Sequence, residues 1–201
     1  FLYVEVQSRL PEYTVDGATV DASKFSADGK LIADDTLSGF FNVYKNGDKT
    51  KLVTGQSVAY GKETLTTSLR LDGSPSFADG KEKSAITFTA KQDFRLTLVA
   101  AQKGSGVPEL QYAKDGGATV TLADAVFEKG TAAKYTVELP AGTYKLGSKN
   151  GLDIFNMSVK YIEKYEMNAN DLDVSNAGED GKFKVTACLL YTSDAADDLT
   201  R

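Results

Sequence analysis

Eight turn pairs punctuate this chain. Asp-Gly begins at Asp16, Asp28, Asp72, Asp79, Asp115 and Asp180, and Asn-Gly at Asn46 and Asn150. These residues tolerate the positive φ that tight reversals need. A chain of 201 residues reversed this often has little room for long helices. Between the turns the residues alternate. Ile86 and Phe88 alternate with Thr87 and Thr89; Phe94, Leu96 and Leu98 with Arg95, Thr97 and Val99; Tyr135, Val137 and Leu139 with Lys134, Thr136 and Glu138. A period of two puts one set in a core and the other toward water. The pattern predicts that Phe88, Phe94, Leu96, Leu98, Tyr135, Val137 and Leu139 are buried together. Phe40 to Tyr44, Leu65 to Leu71, Leu110 to Ala113, Thr119 to Leu122 and Ile154 to Ile162 read as further strands, and Pro140-Ala141-Gly142 as a turn between two strands. Leu122 to Lys129 is ambiguous, since Ala-Asp-Ala could support a helical turn. About ten short strands with frequent turns predict an all-β fold, an antiparallel β-sandwich of jelly-roll type.

Composition removes several chemistries. The chain has no histidine, which excludes Ser-His and Cys-His nucleophilic sites and histidine-ligated metals. Cys188 is the one cysteine, so no disulfide framework is possible. The formal charge of −5 argues against a nucleic-acid partner. No stretch approaches the ~20 apolar residues of a membrane span.

Two segments recur. Phe1-Leu2-Tyr3-Val4-Glu5-Val6-Gln7 lines up with Ile154-Phe155-Asn156-Met157-Ser158-Val159-Lys160, 153 positions on. Val20-Asp21-Ala22-Ser23 with Asp28-Gly29-Lys30 resembles Leu172-Asp173-Val174-Ser175 with Asp180-Gly181-Lys182, 152 positions on. A near-constant offset over separated segments marks a tandem array. The expected organisation is a last strand of a preceding module at 1–12, a complete sandwich at 13–165 and the start of a following module at 166–187. Cys188-Leu189-Leu190-Tyr191-Thr192-Ser193-Asp194-Ala195-Ala196-Asp197-Asp198 resembles one translated frame of a sequencing adapter, so 188–201 is set aside as an artefact.

The run Leu139-Pro140-Ala141-Gly142-Thr143-Tyr144-Lys145-Leu146-Gly147-Ser148-Lys149-Asn150-Gly151, followed by Ile154-Phe155, resembles the closing hairpin of accessory modules in bacterial pectate lyases. Leu69-Arg70-Leu71 to Ala85-Ile86-Thr87-Phe88-Thr89 is similar to that family's approach to its middle strand pair. The resemblance covers about residues 19 to 163. It implies a non-catalytic carbohydrate-binding sandwich, attached to a polysaccharide-degrading enzyme that is secreted or held at a bacterial cell surface. The implied partners are a plant polysaccharide, with pectin the first expectation, and neighbouring modules of the same chain. The alternative is a structural spacer or adhesin-like repeat without a ligand.

Sugar-binding surfaces combine aromatic faces with polar groups. The chain has no tryptophan, so Tyr44, Tyr112 and Tyr144 are the stacking candidates. A polyuronate ligand would call on cations, because arginine and lysine pair with carboxylates. Arg70, Lys83, Arg95 and Lys149 stand in or beside the resembling strands. The set expected to touch ligand is Arg70, Lys83, Tyr112, Tyr144 and Lys149. Relatives often carry arginine before the strand that begins at Leu110; Glu109 here would repel a uronate. No cofactor is expected. Asp34-Asp35 and Asp72 with Asp79 are the acid clusters that could hold a structural calcium, although none matches a calcium-loop pattern. Exposed Tyr, Lys and Arg gathered on one concave face would favour binding, and their scatter over both sheets would favour the spacer.

Overall fold

The computed structural model describes residues 10–17, 30–31 and 39–162. Among them run fourteen strands: β1 (Glu12–Asp16), β2 (Lys30–Leu31), β3 (Asn42–Tyr44), β4 (Lys51–Val53), β5 (Val58–Tyr60), β6 (Glu63–Leu65), β7 (Ser68–Leu71), β8 (Ala85–Ala90), β9 (Phe94–Gln102), β10 (Glu109–Lys114), β11 (Val120–Thr121), β12 (Ala133–Leu139), β13 (Gly142–Lys149) and β14 (Leu152–Tyr161). Sheet A has the order β12-β9-β14-β7-β4, with β1 also on β14. Sheet B has the order β11-β10-β13-β8-β3-β2, and β5 with β6 forms a separate ribbon. All pairs are antiparallel. The fold is the antiparallel β-sandwich that the alternation predicts.

The core follows from that alternation. Phe94, Leu96 and Leu98 of β9 pair in register with Leu139, Val137 and Tyr135 of β12, so both rows point the same way. Phe88, Phe94, Leu96, Leu98, Tyr135 and Leu139 are buried, and Val137 packs partly buried against the same cluster. Aromatic rings tie the two sheets. Phe88 of sheet B meets Phe94 of sheet A edge-on at 5.6 Å, and Tyr13 of β1 stacks on Phe40 at 4.0 Å. Such contacts add roughly 0.5–1.5 kcal/mol each beyond the area they bury. The ambiguous stretch after Leu122 is loop, and its Ala125 and Phe127 plug the core.

Some expectations about connections change. The Asn-Gly turn at Asn150 was expected to close a hairpin, but β13 belongs to sheet B and β14 to sheet A. Gly104-Ser105-Gly106, which reads from sequence as a hairpin connection, carries the chain from β9 in sheet A to β10 in sheet B, and the Pro140-Ala141 turn does join two strands, β12 in sheet A and β13 in sheet B. Asn150 does take the positive φ its turn demands, at 66°. The turn chemistry specifies a reversal; whether the two strands then pair depends on which sheet has room for each. Leu65 to Leu71 also divides, into β6 of the ribbon and β7 of sheet A.

β1 has no counterpart in the sequence expectation. Glu12, assigned from sequence to a preceding module, is its first residue and pairs with Lys160. One edge of β14 is lined by β9; the other is shared by β7 near Leu152–Ile154 and by β1 near Asn156–Lys160. Phe1–Gln7, Val20–Gly29, Asp34-Asp35 and residues 163–201 lie outside the described residues, and with them the repeat partners and the tail.

Two excursions from the sandwich lie over its outer faces. Residues 54–67, containing β5 and β6, cover part of sheet A, where Val58 joins Ala101, Ala132 and Phe155 in a small second core. Phe155 faces outward because the β9–β14 register shifts between Ile154 and Asn156, a bulge that turns an extra side chain to that side. Residues 72–84 form a strap over sheet B. Ser84 Oγ donates to Asp72 O at 2.6 Å, drawing the two ends of the strap together.

Candidate functional site

The five residues named from sequence do not form one site. Arg70 projects from the outer side of sheet A, since Leu69 and Leu71 take the core side. Its Nε and Nη2 donate to Asp153 at 2.6 and 2.8 Å. Gln56 Nε2 donates to the same carboxylate at 2.8 Å and Ser68 Oγ donates to Gln56 Oε1 at 2.7 Å. Those hydrogen bonds to Asp153 hold the guanidinium pKa above its ordinary value, against the opposing pull of burial. With only 16% of its side chain exposed, Arg70 is an anchor for residues 54–67 rather than a free cation.

Lys149 donates to Glu109 at 3.0 Å, so the acid expected to repel a uronate instead neutralises a cation expected to attract it. Lys83 is exposed in the strap, where its backbone pairs with that of Ser76. Tyr144 is a correction. Its ring is 1% exposed, between Phe88 and Phe94 at 5.5 and 5.1 Å, and its hydroxyl donates to Pro140 O at 2.7 Å. Burial pushes that phenol up to about 12. It cannot stack on a ligand without unfolding the core. Tyr112 is half-buried in sheet B, paired with Val120 of β11 and Leu146 of β13, with its ring 5.5 Å from the Tyr144 ring. Only these two tyrosines are brought together; the three cations are scattered over both sheets and the strap.

A different surface gathers polar groups on one face. The registers of β1, β14, β9 and β12 place three rows on the outer side of sheet A. The first is Glu12, Lys160, Arg95 and Glu138. The second is Thr14, Ser158, Thr97 and Thr136. The third is Asp16, Asn156, Val99 and Lys134. Arg95 Nη2 donates to Glu138 at 2.7 Å, and Lys160 lies 3.9 Å from Glu12. The Thr97 and Thr136 hydroxyls are 3.3 Å apart. Beyond the third row stands the ribbon, whose half-buried Tyr60 packs, like Val99, against the Phe155 cluster. The face is thus a largely polar floor, interrupted at half-buried Val99 and buried Ser158, with an aromatic margin.

Sequence reasoning recorded Arg95, Thr97, Lys134, Thr136 and Glu138 as outward positions but did not unite them. Alternation assigns a side within one strand. That β12, β9, β14 and β1 turn these positions to one common face depends on pairings between residues far apart in sequence, as is the placing of Tyr60 beside them.

Among the described residues no group of three or more acids gathers to hold a metal ion. Asp72 and Asp79, two of the acids considered for calcium, each meet a lysine, Lys103 and Lys145. Lys145 also donates to Glu82 Oε1 at 2.8 Å and to Phe77 O at 2.9 Å, clamping the strap onto sheet B. Burial works against the Glu82 charge, but the Lys145 hydrogen bond and two backbone donors outweigh it and hold its pKa below the usual range.

No protein-family model matches the chain, and no curated protein matches it. Solved structures do align with it. One comes from work on glycan recognition in the Ruminococcus flavefaciens cellulosome, at 22% identity and TM-score 0.42 over 77% of this chain and 97% of that one. Another is the Clostridium thermocellum endo-1,4-β-D-xylanase 10B with its CBM22-1 and GH10 modules, complexed with xylohexaose, at 11% identity and TM-score 0.36 over 80% of this chain and 30% of that one. A third is CBM35 from Cellvibrio japonicus Abf62, at 16% identity and TM-score 0.33 over 57% of this chain and 93% of that one.

Proposed function

We propose that the chain is a non-catalytic carbohydrate-binding module of a polysaccharide-degrading enzyme, one of pectate-lyase-like type that is secreted or displayed by a bacterium. The observation that carries this reading is the outer face of sheet A. Sugars present hydroxyl donors and acceptors at their edges and apolar faces to stack. The rows of Thr, Ser, Asn and charged side chains supply the first kind of partner and Tyr60 supplies the second. The sequence resemblance over residues 19 to 163 supports the same reading and is the support for the pectate-lyase context.

A tandem arrangement belongs to the proposal. β1 sharpens its sequence support, because its inward residues Tyr13 and Val15 recur as Tyr165 and Met167, again 152 positions on. The positions that differ most, Glu12 against Lys164 and Thr14 against Glu166, are the outward ones. Linked modules would bind a polymer by avidity. The scatter of Arg70, Lys83 and Lys149 favours the spacer reading, so the two must be separated by experiment. Affinity electrophoresis of the full chain in gels containing pectin, methyl-esterified pectin or a neutral glucan does so. Retardation in at least one gel is expected, and none in any gel would leave the spacer standing.

A further inference from the structure

We infer that the outer face of sheet A takes an uncharged polysaccharide chain, laid across the strands along the row in which Thr14 and Thr136 are exposed, Thr97 is half-buried and Ser158 is buried, with Tyr60 at its margin. This rests on the carbohydrate-binding reading and departs from the pectin expectation.

Charge is the first argument. The face carries three acids, Glu12, Asp16 and Glu138, and three bases, Arg95, Lys134 and Lys160. Its first row is internally paired, Arg95 to Glu138 and Lys160 to Glu12. Away from the face, Arg70 and Lys149 are occupied by Asp153 and Glu109. A polyuronate would approach a locally neutral surface on a chain of formal charge −5, and at Arg95 and Lys160 would have to break existing ion pairs to form its own. A neutral polyol meets no such obstacle. Its hydroxyls can donate to and accept from serine, threonine and amide side chains without displacing a charge.

Shape is the second argument. Four strands about 4.8 Å apart make the whole row, from Thr14 on β1 to Thr136 on β12, about 14 Å long. That is a platform for several sugar rings rather than a pocket for one, so affinity should rise from monosaccharide to short oligosaccharide.

The test uses the full chain in gels of neutral β-glucan, neutral mannan or polygalacturonate, at about 50 and about 500 mM salt, a range over which exposed charge attraction is strongly screened. Thr136→Arg fills the row; Asn156→Ala removes an amide at its side while adding no bulk, and covers the case in which Thr136→Arg fails to fold. Lys83→Ala and Lys149→Ala are controls away from the face. The expected result is retardation by a neutral polymer, changed less than about twofold by salt, with affinity reduced about tenfold in Thr136→Arg, equal to 1.4 kcal/mol. A smaller loss is expected in Asn156→Ala and none in the lysine variants. Retardation by polygalacturonate alone, relieved by salt or by the lysine changes, overturns the inference and leaves the carbohydrate-binding reading intact. Neutral binding that ignores both face variants also overturns it. Absence of retardation in every gel overturns that reading as well.

Discussion

The ribbon at 54–67 and the strap at 72–84 leave the same short strand, β7, from its two ends, and each lies against the outside of a sheet. They are held by opposite divisions of labour. On sheet A the whole ion pair, Arg70 with Asp153, belongs to the sheet, and the ribbon approaches it with a neutral amide, Gln56, and apolar side chains. On sheet B the sheet supplies only the cation, Lys145, and the strap brings the carboxylates of Asp79 and Glu82. The ribbon therefore depends on a desolvated pair and a small core of its own. The strap depends on charges it carries itself and on small residues beneath it. The difference also decides which face stays open: the ribbon stops at Val99 and leaves Glu12, Arg95, Lys134, Thr136 and Glu138 of sheet A exposed, while the strap closes over Gly147.

Asp153→Ala should be the most damaging change. It leaves Arg70 with a guanidinium 16% exposed and without its carboxylate, and it removes the acceptor of Gln56. Loss of one partner from a largely buried pair should cost about 3 kcal/mol, read from chemical denaturation, and the ribbon should lose hydrogen-exchange protection first. Equal loss of protection in the ribbon and the strap would mean the two regions share one anchor.

Gly147→Ala is the matching change under the strap. A Cβ there would lie 2.6 Å from Pro75 Cβ and 2.9 Å from Ser84 O, and the second is backbone that cannot rotate away. Overpacking of this kind should cost about 2 kcal/mol. The strap should lift while the ribbon keeps its protection. An unchanged denaturation midpoint would show that the strap does not press on sheet B.

This pair of excursions also shows what a sequence can and cannot tell. The strands were legible where each buries one face, as in Phe94-Leu96-Leu98 and Tyr135-Val137-Leu139. Legibility fails in β13. Tyr144 and Leu146 face the core, while Lys145 on the opposite side is covered by the strap, so both sides are buried and alternation vanishes. Tyr144 then reads as a surface tyrosine, although its hydroxyl reaches a backbone carbonyl inside. β1 was missed because an edge strand of five residues with polar outward positions looks like a loop. The face that carries the proposed site was legible strand by strand and illegible as a face, because Thr136, Thr97 and Ser158 meet only through long-range register.

Acid should separate the two regions without mutation. The Glu82 carboxyl is held below its ordinary value of 4.5, so its contribution to the strap is complete above that value and fades as pH falls through the depressed pKa. Asp79 is shifted the same way by its hydrogen bond with Lys145. Hydrogen exchange at Lys81 and Lys83, whose amides bond to Ala78 O and Ser76 O, should accelerate beyond the intrinsic pH trend below that range. In Glu82→Gln that acid step should shrink. Equal acid loosening of the ribbon and the strap would remove the distinction drawn between them.

The smallest effect tests whether burial is what separates the anchors from the remaining ion pairs. Arg95 and Glu138 form a cross-strand pair in the same sheet as Arg70 and Asp153, with a similar distance of 2.7 Å against 2.6 Å. Their side chains are 52% and 58% exposed, where Asp153 is 3% exposed. Water already solvates both charges, so the attraction is weak and ordering two long side chains opposes it. A double-mutant cycle of Arg95→Ala and Glu138→Ala should give a coupling of about 0.5 kcal/mol or less, falling further at high salt. A coupling near that of the Arg70–Asp153 pair would mean that the exposed face is rigid and preorganised. The rows of sheet A would then be held in place by their own charges, which would strengthen the case that they meet a ligand in a fixed geometry.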